Sequence, residues 1–153
     1  FPATSLVIYY IEHQSRLLVC DNTFEGGEAG IQLWELPTAN PTNVTIANTT
    51  IRDTRYGIWF RNWLPMPETG PARPSGAFFS GVTITDATEA GICLEGDARG
   101  DGPITMICDG VTVQGGPVGL LLKGPKSLLE GLPTLHGQTG QAIVATDGAA
   151  RPQ

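Results

Sequence analysis

The side chains best suited to chemistry sit in three short polar loops. The first holds Glu25 and Glu28, the second Arg52, Asp53 and Arg55, and the third Asp86 and Glu89. Counted back from the Gly-Ile pair that follows each loop, they fall into two columns, Glu25/Arg52/Asp86 and Glu28/Arg55/Glu89. The third loop is one residue longer, so its register is open by one position. Carboxylates flanking a guanidinium suit acid–base work: an arginine grips a carboxylate-bearing substrate and an acid transfers the proton. On that reading Arg52, Asp53, Arg55 and Glu89 are the catalytic candidates. The same alternation equally describes an exposed ion ladder, each pair of which contributes about 0–1 kcal/mol. Trp34, Tyr56, Trp59 and Trp63 lie on or beside the same segments. Aromatic rings stack on the apolar faces of sugar rings, which makes these four the substrate-binding candidates; the competing role is packing against a neighbouring Pro-rich stretch.

What positions these residues is a repeat. Leu17–Phe24 runs on to Ala29-Gly-Ile-Gln-Leu33, Val44–Ile51 to Tyr56-Gly-Ile-Trp-Phe60, Phe79–Ile84 to Ala90-Gly-Ile-Cys-Leu94, and Met106–Val113 to Val118-Gly-Leu-Leu-Leu122. A weaker fifth copy ends in Gln141-Ala-Ile-Val-Ala145. The anchor glycines Gly30, Gly57, Gly91 and Gly119 are spaced 27, 34 and 28 apart, and Ala142 takes the place 23 further on. Each unit carries short stretches of period-2 alternation and no helical periodicity. Rungs of this length with several short strands predict an all-β fold, a right-handed parallel β-helix solenoid of about five coils. Thr23, Thr50, Thr83 and Thr112 should then form a ladder on one face. Phe24, Ile51, Ile84 and Val113 should stack inside, as should Ile31, Ile58, Ile92, Leu120 and Ile143. Asp21-Asn22, Asn48, Ser80-Gly81 and Asp109-Gly110 mark the sharp corner between limbs, because Asn, Asp and Gly tolerate left-handed backbone.

The outward column after the anchor reads Gln32, Trp59, Cys93, Leu121, Val144. Outward positions that meet water should be polar, so this apolar line predicts a covered face. The Pro-rich stretch 61–76 reads as an insertion able to cover part of it. The opening strand around Ser5–Glu12 leaves no room for a capping helix, so the chain is expected to be a piece of a longer β-helix or to have a partner over that end. Otherwise 1–153 reads as a single domain.

These repeats resemble the pectin-lyase-like superfamily, with its Val-x-Ile…Ile…Gly-Ile-x-Phe/Leu pattern, over roughly residues 15–147. The resemblance implies handling of polysaccharides along one outer face, and, if the chain is an enzyme, a polysaccharide lyase or glycoside hydrolase. The superfamily's calcium-binding aspartate clusters and its paired aspartates with Gly-His-Gly are not found; His136 sits in Leu-His-Gly-Gln without an aspartate pair before it. The expected role is therefore recognition or processing of polysaccharide by part of a larger extracellular or virion-surface protein. The alternative is a non-catalytic assembly module whose apolar outer face packs on another protein chain.

Composition bounds the rest. Of 153 residues 41% are hydrophobic and only 16% charged, with a net charge of −6. An acidic chain argues against nucleic acid as a partner, and no apolar run approaches the roughly 18 residues of a membrane span. Cys20, Cys93 and Cys108 are too few and too odd in number for a disulfide framework, and the two histidines lie far apart. No CxxC exists, so no metal site and no cofactor is implied.

Overall fold

The computed structural model describes residues 4–9, 16–34, 44–61, 75–96 and 103–152. Among them every regular element is a strand and every strand pairing is parallel. No helix there is long and apolar enough to cross a membrane. A lone strand β1 (Thr4–Tyr9) leads. The first full set is β2 (Leu17–Cys20), β3 (Thr23–Glu25) and β4 (Ala29–Trp34). In the next two sets the first two limbs run on as single bent strands: β5 (Val44–Arg52) with β6 (Tyr56–Arg61), then β7 (Ser75–Thr85) with β8 (Ala90–Glu95). The last two are β9 (Ile104–Asp109), β10 (Thr112–Gln114) and β11 (Val118–Lys123), then β12 (Ser127–Glu130), β13 (Thr134–His136) and β14 (Ile143–Thr146).

The third limbs stack as one sheet in the order β1-β4-β6-β8-β11-β14, and the first and second limbs form the other. The result is a parallel β-solenoid of about four turns. That is slightly fewer than the five expected, because the ends are thin: β1 has no described companion in the second sheet, and the last set has strands of only three or four residues.

The columns align in register. Thr23, Thr50, Thr83 and Thr112 are successive neighbours, and Thr134 extends the ladder by one rung. Phe24, Ile51, Ile84, Val113 and Leu135 follow on the inner side, and Leu6, Ile31, Ile58, Ile92, Leu120 and Ile143 form the facing stack. Ile51, Ile84, Ile58 and Ile92 are fully buried, each contributing roughly 1.5–3 kcal/mol of apolar burial. Phe24, Leu135 and Ile143, on the end rungs, are only partly covered.

Two local devices turn the chain. At the first corner Asp21, Asn48, Gly81 and Gly110 have φ of 59°, 48°, 62° and 67°, the left-handed region that these residue types enter most readily. At the second, Gly26, Asp53, Asp86 and Gly115 have φ of 76°, 55°, 55° and 72°, and the anchor glycine that follows fills a slot with no space for a side chain. A Cβ on Gly57 would strike Ile84 and the Gly91 carbonyl oxygen, and one on Gly91 would strike Val113 and the Gly119 carbonyl oxygen. The Gly-Ile signature thus marks where the third limb closes onto the stack above it.

Arg61 ends β6 and Ser75 opens β7, so the stretch 61–76 lends residues to both strands; 62–74, with Trp63, lies outside the described residues. The three cysteines are free. Cys20 and Cys108 sit three rungs apart, about 14 Å by strand spacing, and burial pushes the Cys108 thiol up to about 12.

Candidate functional site

The polar loops lie at the second corner, and the backbone stacks them rung on rung. Arg55 N donates to Gly27 O at 2.9 Å, Tyr56 N to Glu28 O at 3.0 Å and Glu89 N to Arg55 O at 2.9 Å. This stacking carries Arg55 between two carboxylates. Its guanidinium pairs with Glu28 on one side and Glu89 on the other, and the Tyr56 hydroxyl donates to Glu89 Oε1 at 2.7 Å. The arginine bond, with the tyrosine bond behind it, holds the Glu89 carboxyl below its ordinary range. Glu89 is thus an ionised acceptor at neutral pH, with both oxygens engaged. Burial and the Glu89 hydrogen bond push the Tyr56 phenol up, so it stays a donor.

Arg52 and Asp53 face elsewhere. Arg52 pairs with Glu25 at 2.9 Å, both side chains more than half exposed. Its neighbour on the next rung is Thr85, not Asp86, which corrects the column Glu25/Arg52/Asp86 by one position. The reason is the corner: Asp53 and Asp86 both adopt φ of 55° there, one step beyond the strand. Of the four acid–base candidates, Arg55 and Glu89 are joined in one network, while Arg52 and Asp53 lie across the corner from it.

Beside the Glu28–Arg55–Glu89 ladder runs the outer face of the first sheet. Its middle column is Val7, Gln32, Trp59, Cys93, Leu121, Val144. Cys93 is fully buried and Gln32 is 8% exposed although both point away from the core. Cys93 packs with Ala29, Tyr56 and Ala90 in a second apolar cluster, against which Trp59, Val118 and Leu121 lie. Burial pushes the Cys93 thiol up, so it behaves as a small apolar group. The Tyr56 and Trp59 rings are 5.0 Å apart. The Arg61 guanidinium lies 4.5 Å from the Trp59 ring and 4.6 Å from the Trp34 ring, joining two indoles on adjacent strands. Trp34, Tyr56 and Trp59 are thereby brought to one face. The Trp59 Nε1 is buried and has no hydrogen-bond partner.

Of the far margin of this face only Trp34 was among the candidates. This margin is the column Trp34, Arg61, Glu95, Lys123, Thr146, with Lys123 paired to Glu95 at 3.3 Å. The signal was present: each residue stands four places after its anchor Gly or Ala, and the charges alternate as in the loops. An apolar strip thus lies between two rows of paired charge. Among the described residues no group of three or more His, Cys, Asp or Glu could hold a metal ion. Comparisons with protein-family models, with curated proteins and with solved structures returned no match.

Proposed function

We propose that this protein is a recognition solenoid that binds a polysaccharide along the outer face of the first sheet, without catalysing its cleavage, as part of an extracellular or virion-surface protein. The repeat's likeness to the pectin-lyase-like superfamily gives the ligand class. The observation that carries the reading is the joint placement of Trp34, Tyr56 and Trp59 on one face between polar margins, with a buried Trp59 Nε1 that lacks an acceptor. An apolar floor with hydrogen-bonding flanks is what a sugar ring needs, apolar on its face and hydroxylated at its edge. A buried donor without a partner costs about 1–3 kcal/mol, and a ligand hydroxyl oxygen would relieve that.

Two features favour recognition over processing. Glu89 is held ionised by Arg55 and Tyr56, the wrong state for a general acid. Arg55 is already engaged by two carboxylates and is not poised for a substrate. The test is affinity electrophoresis against a panel of soluble glycans, comparing the native chain with Trp59→Ala. Retention of the native chain by at least one glycan, weakened about tenfold or more in the variant, is the expected result. Identical mobility of both proteins in every gel overturns the reading.

A further inference from the structure

We infer that the glycan bound on this face is neutral, a chain of uncharged hexoses or pentoses and not a polyuronate. The inference rests on the recognition reading above and sharpens its ligand.

Among the described residues of the two margins, three cations flank the strip, Arg55, Arg61 and Lys123, and three carboxylates, Glu28, Glu89 and Glu95, stand among them. Arg55 is bound to Glu28 and Glu89, and Lys123 to Glu95. Arg61 lies against the rings of Trp34 and Trp59, beside Glu95 in register. Among the described residues each of these three cations is thus already engaged, and the six charges sum to zero. The chain as a whole carries −6, so a polyanion approaching it meets net repulsion at low salt. To bind one, the face would have to open an existing ion pair and leave a carboxylate uncompensated beside the incoming charge.

A neutral sugar makes no such demand. Its apolar face takes the indoles, and its hydroxyls can donate to Glu28, Glu89 and Glu95, which as carboxylates have acceptor capacity beyond their present bonds. Its ring oxygens and hydroxyl oxygens can accept from Trp59 Nε1. Trp34 and Trp59 are diagonal neighbours on adjacent strands, about 8 Å apart by strand spacing and rise, which suits contact with successive sugars of one chain.

The experiment titrates the native protein with four neutral glycans, a β-glucan, a xylan, a mannan and dextran, and with polygalacturonate of matched length, at low salt and at high salt. Binding of at least one neutral glycan with little salt dependence, and none of polygalacturonate, is the expected result. Polygalacturonate binding as tight as or tighter than any neutral glycan, and weakening with salt, overturns the inference while leaving recognition intact. Binding of no glycan overturns both. Glu95→Gln, which releases Lys123, supplies the second arm. It should gain salt-sensitive binding of polygalacturonate, about tenfold tighter at low than at high salt. If polygalacturonate stays unbound in that variant, ion pairing is not what excludes it, and the argument fails.

Discussion

Two outer faces of one solenoid, built on the same register, have opposite chemistry. On the second sheet, past the first corner, the outward columns are Thr23/Thr50/Thr83/Thr112/Thr134 and Glu25/Arg52/Thr85/Gln114/His136. Most of these side chains are exposed, as the water-facing side of an alternating strand should be. On the first sheet the outward columns hold Ala29/Tyr56/Ala90/Val118 and Gln32/Trp59/Cys93/Leu121, and several of these are as buried as the core. Parallel stacking places like residues above like on both faces, so stacking alone does not account for the contrast. The difference lies in the anchor. In a straight strand residues three apart point to opposite faces, yet Tyr56 and Trp59 share the outer side with rings 5.0 Å apart. The alternation breaks at Gly57 between them, whose Cβ would point onto the core residue Ile84 although Ile58 beside it also faces the core, and that break sets two outward columns side by side.

The sharpest way to break the contrast is Gly57→Ala. The new Cβ would meet Ile84 and the Gly91 carbonyl, and the expected cost is about 3 kcal/mol of stability, read by chemical denaturation. The Tyr56–Trp59 contact should loosen with it. A loss below about 0.5 kcal/mol would mean that the anchor is not a packing constraint.

Tyr56→Phe is a smaller perturbation of the buried face. It keeps the ring and removes the bond to Glu89 Oε1, at a cost of about 1 kcal/mol near neutral pH. The sign of its pH dependence follows from Glu89, whose folded-state carboxyl lies below its ordinary value of 4.5. Stability from that ionised form is present above about pH 4.5 and fades as pH falls through the lower folded value. Denaturant melts from neutral to acid pH should therefore show the gap between native protein and variant narrowing in acid. A gap that widens in acid contradicts the Tyr56–Glu89 bond.

Thr83→Val probes the exposed face and should change least. The position is exposed in the middle of the threonine ladder, and stability should move by no more than about 0.5 kcal/mol. Glycan binding should be unaffected; a loss of binding there would move the ligand to the second sheet.

Much of this architecture was legible in the residues. The anchor glycines, the threonines and the inward Ile/Val positions recur at matched offsets, and repetition exposes register in a way a single strand does not. The miss at Asp86 shows the limit: Asp serves equally as an ion-pair partner on a strand and as a left-handed corner residue, and spacing could not separate the roles. Thr134 and Leu135 went unrecognised because the last rung is short, 22 residues from Thr112 to Thr134. The Arg61/Glu95/Lys123 margin was visible as a column but not as a site, since its meaning depends on Arg61 reaching two indoles on different strands. That Gly57 excludes a side chain is a fact of the stacked neighbour and belongs to no local segment.

The central claim is that the ligand lies on the outer face of the first sheet. Backbone and indole chemical shifts during titration with a soluble neutral glycan test it most directly. The account predicts shifts at the Trp59 indole N–H, Trp34, Gln32 and Leu121, with Thr50, Thr83 and Thr112 unmoved. Shifts confined to the threonine ladder, or no shifts at saturating glycan, would contradict it.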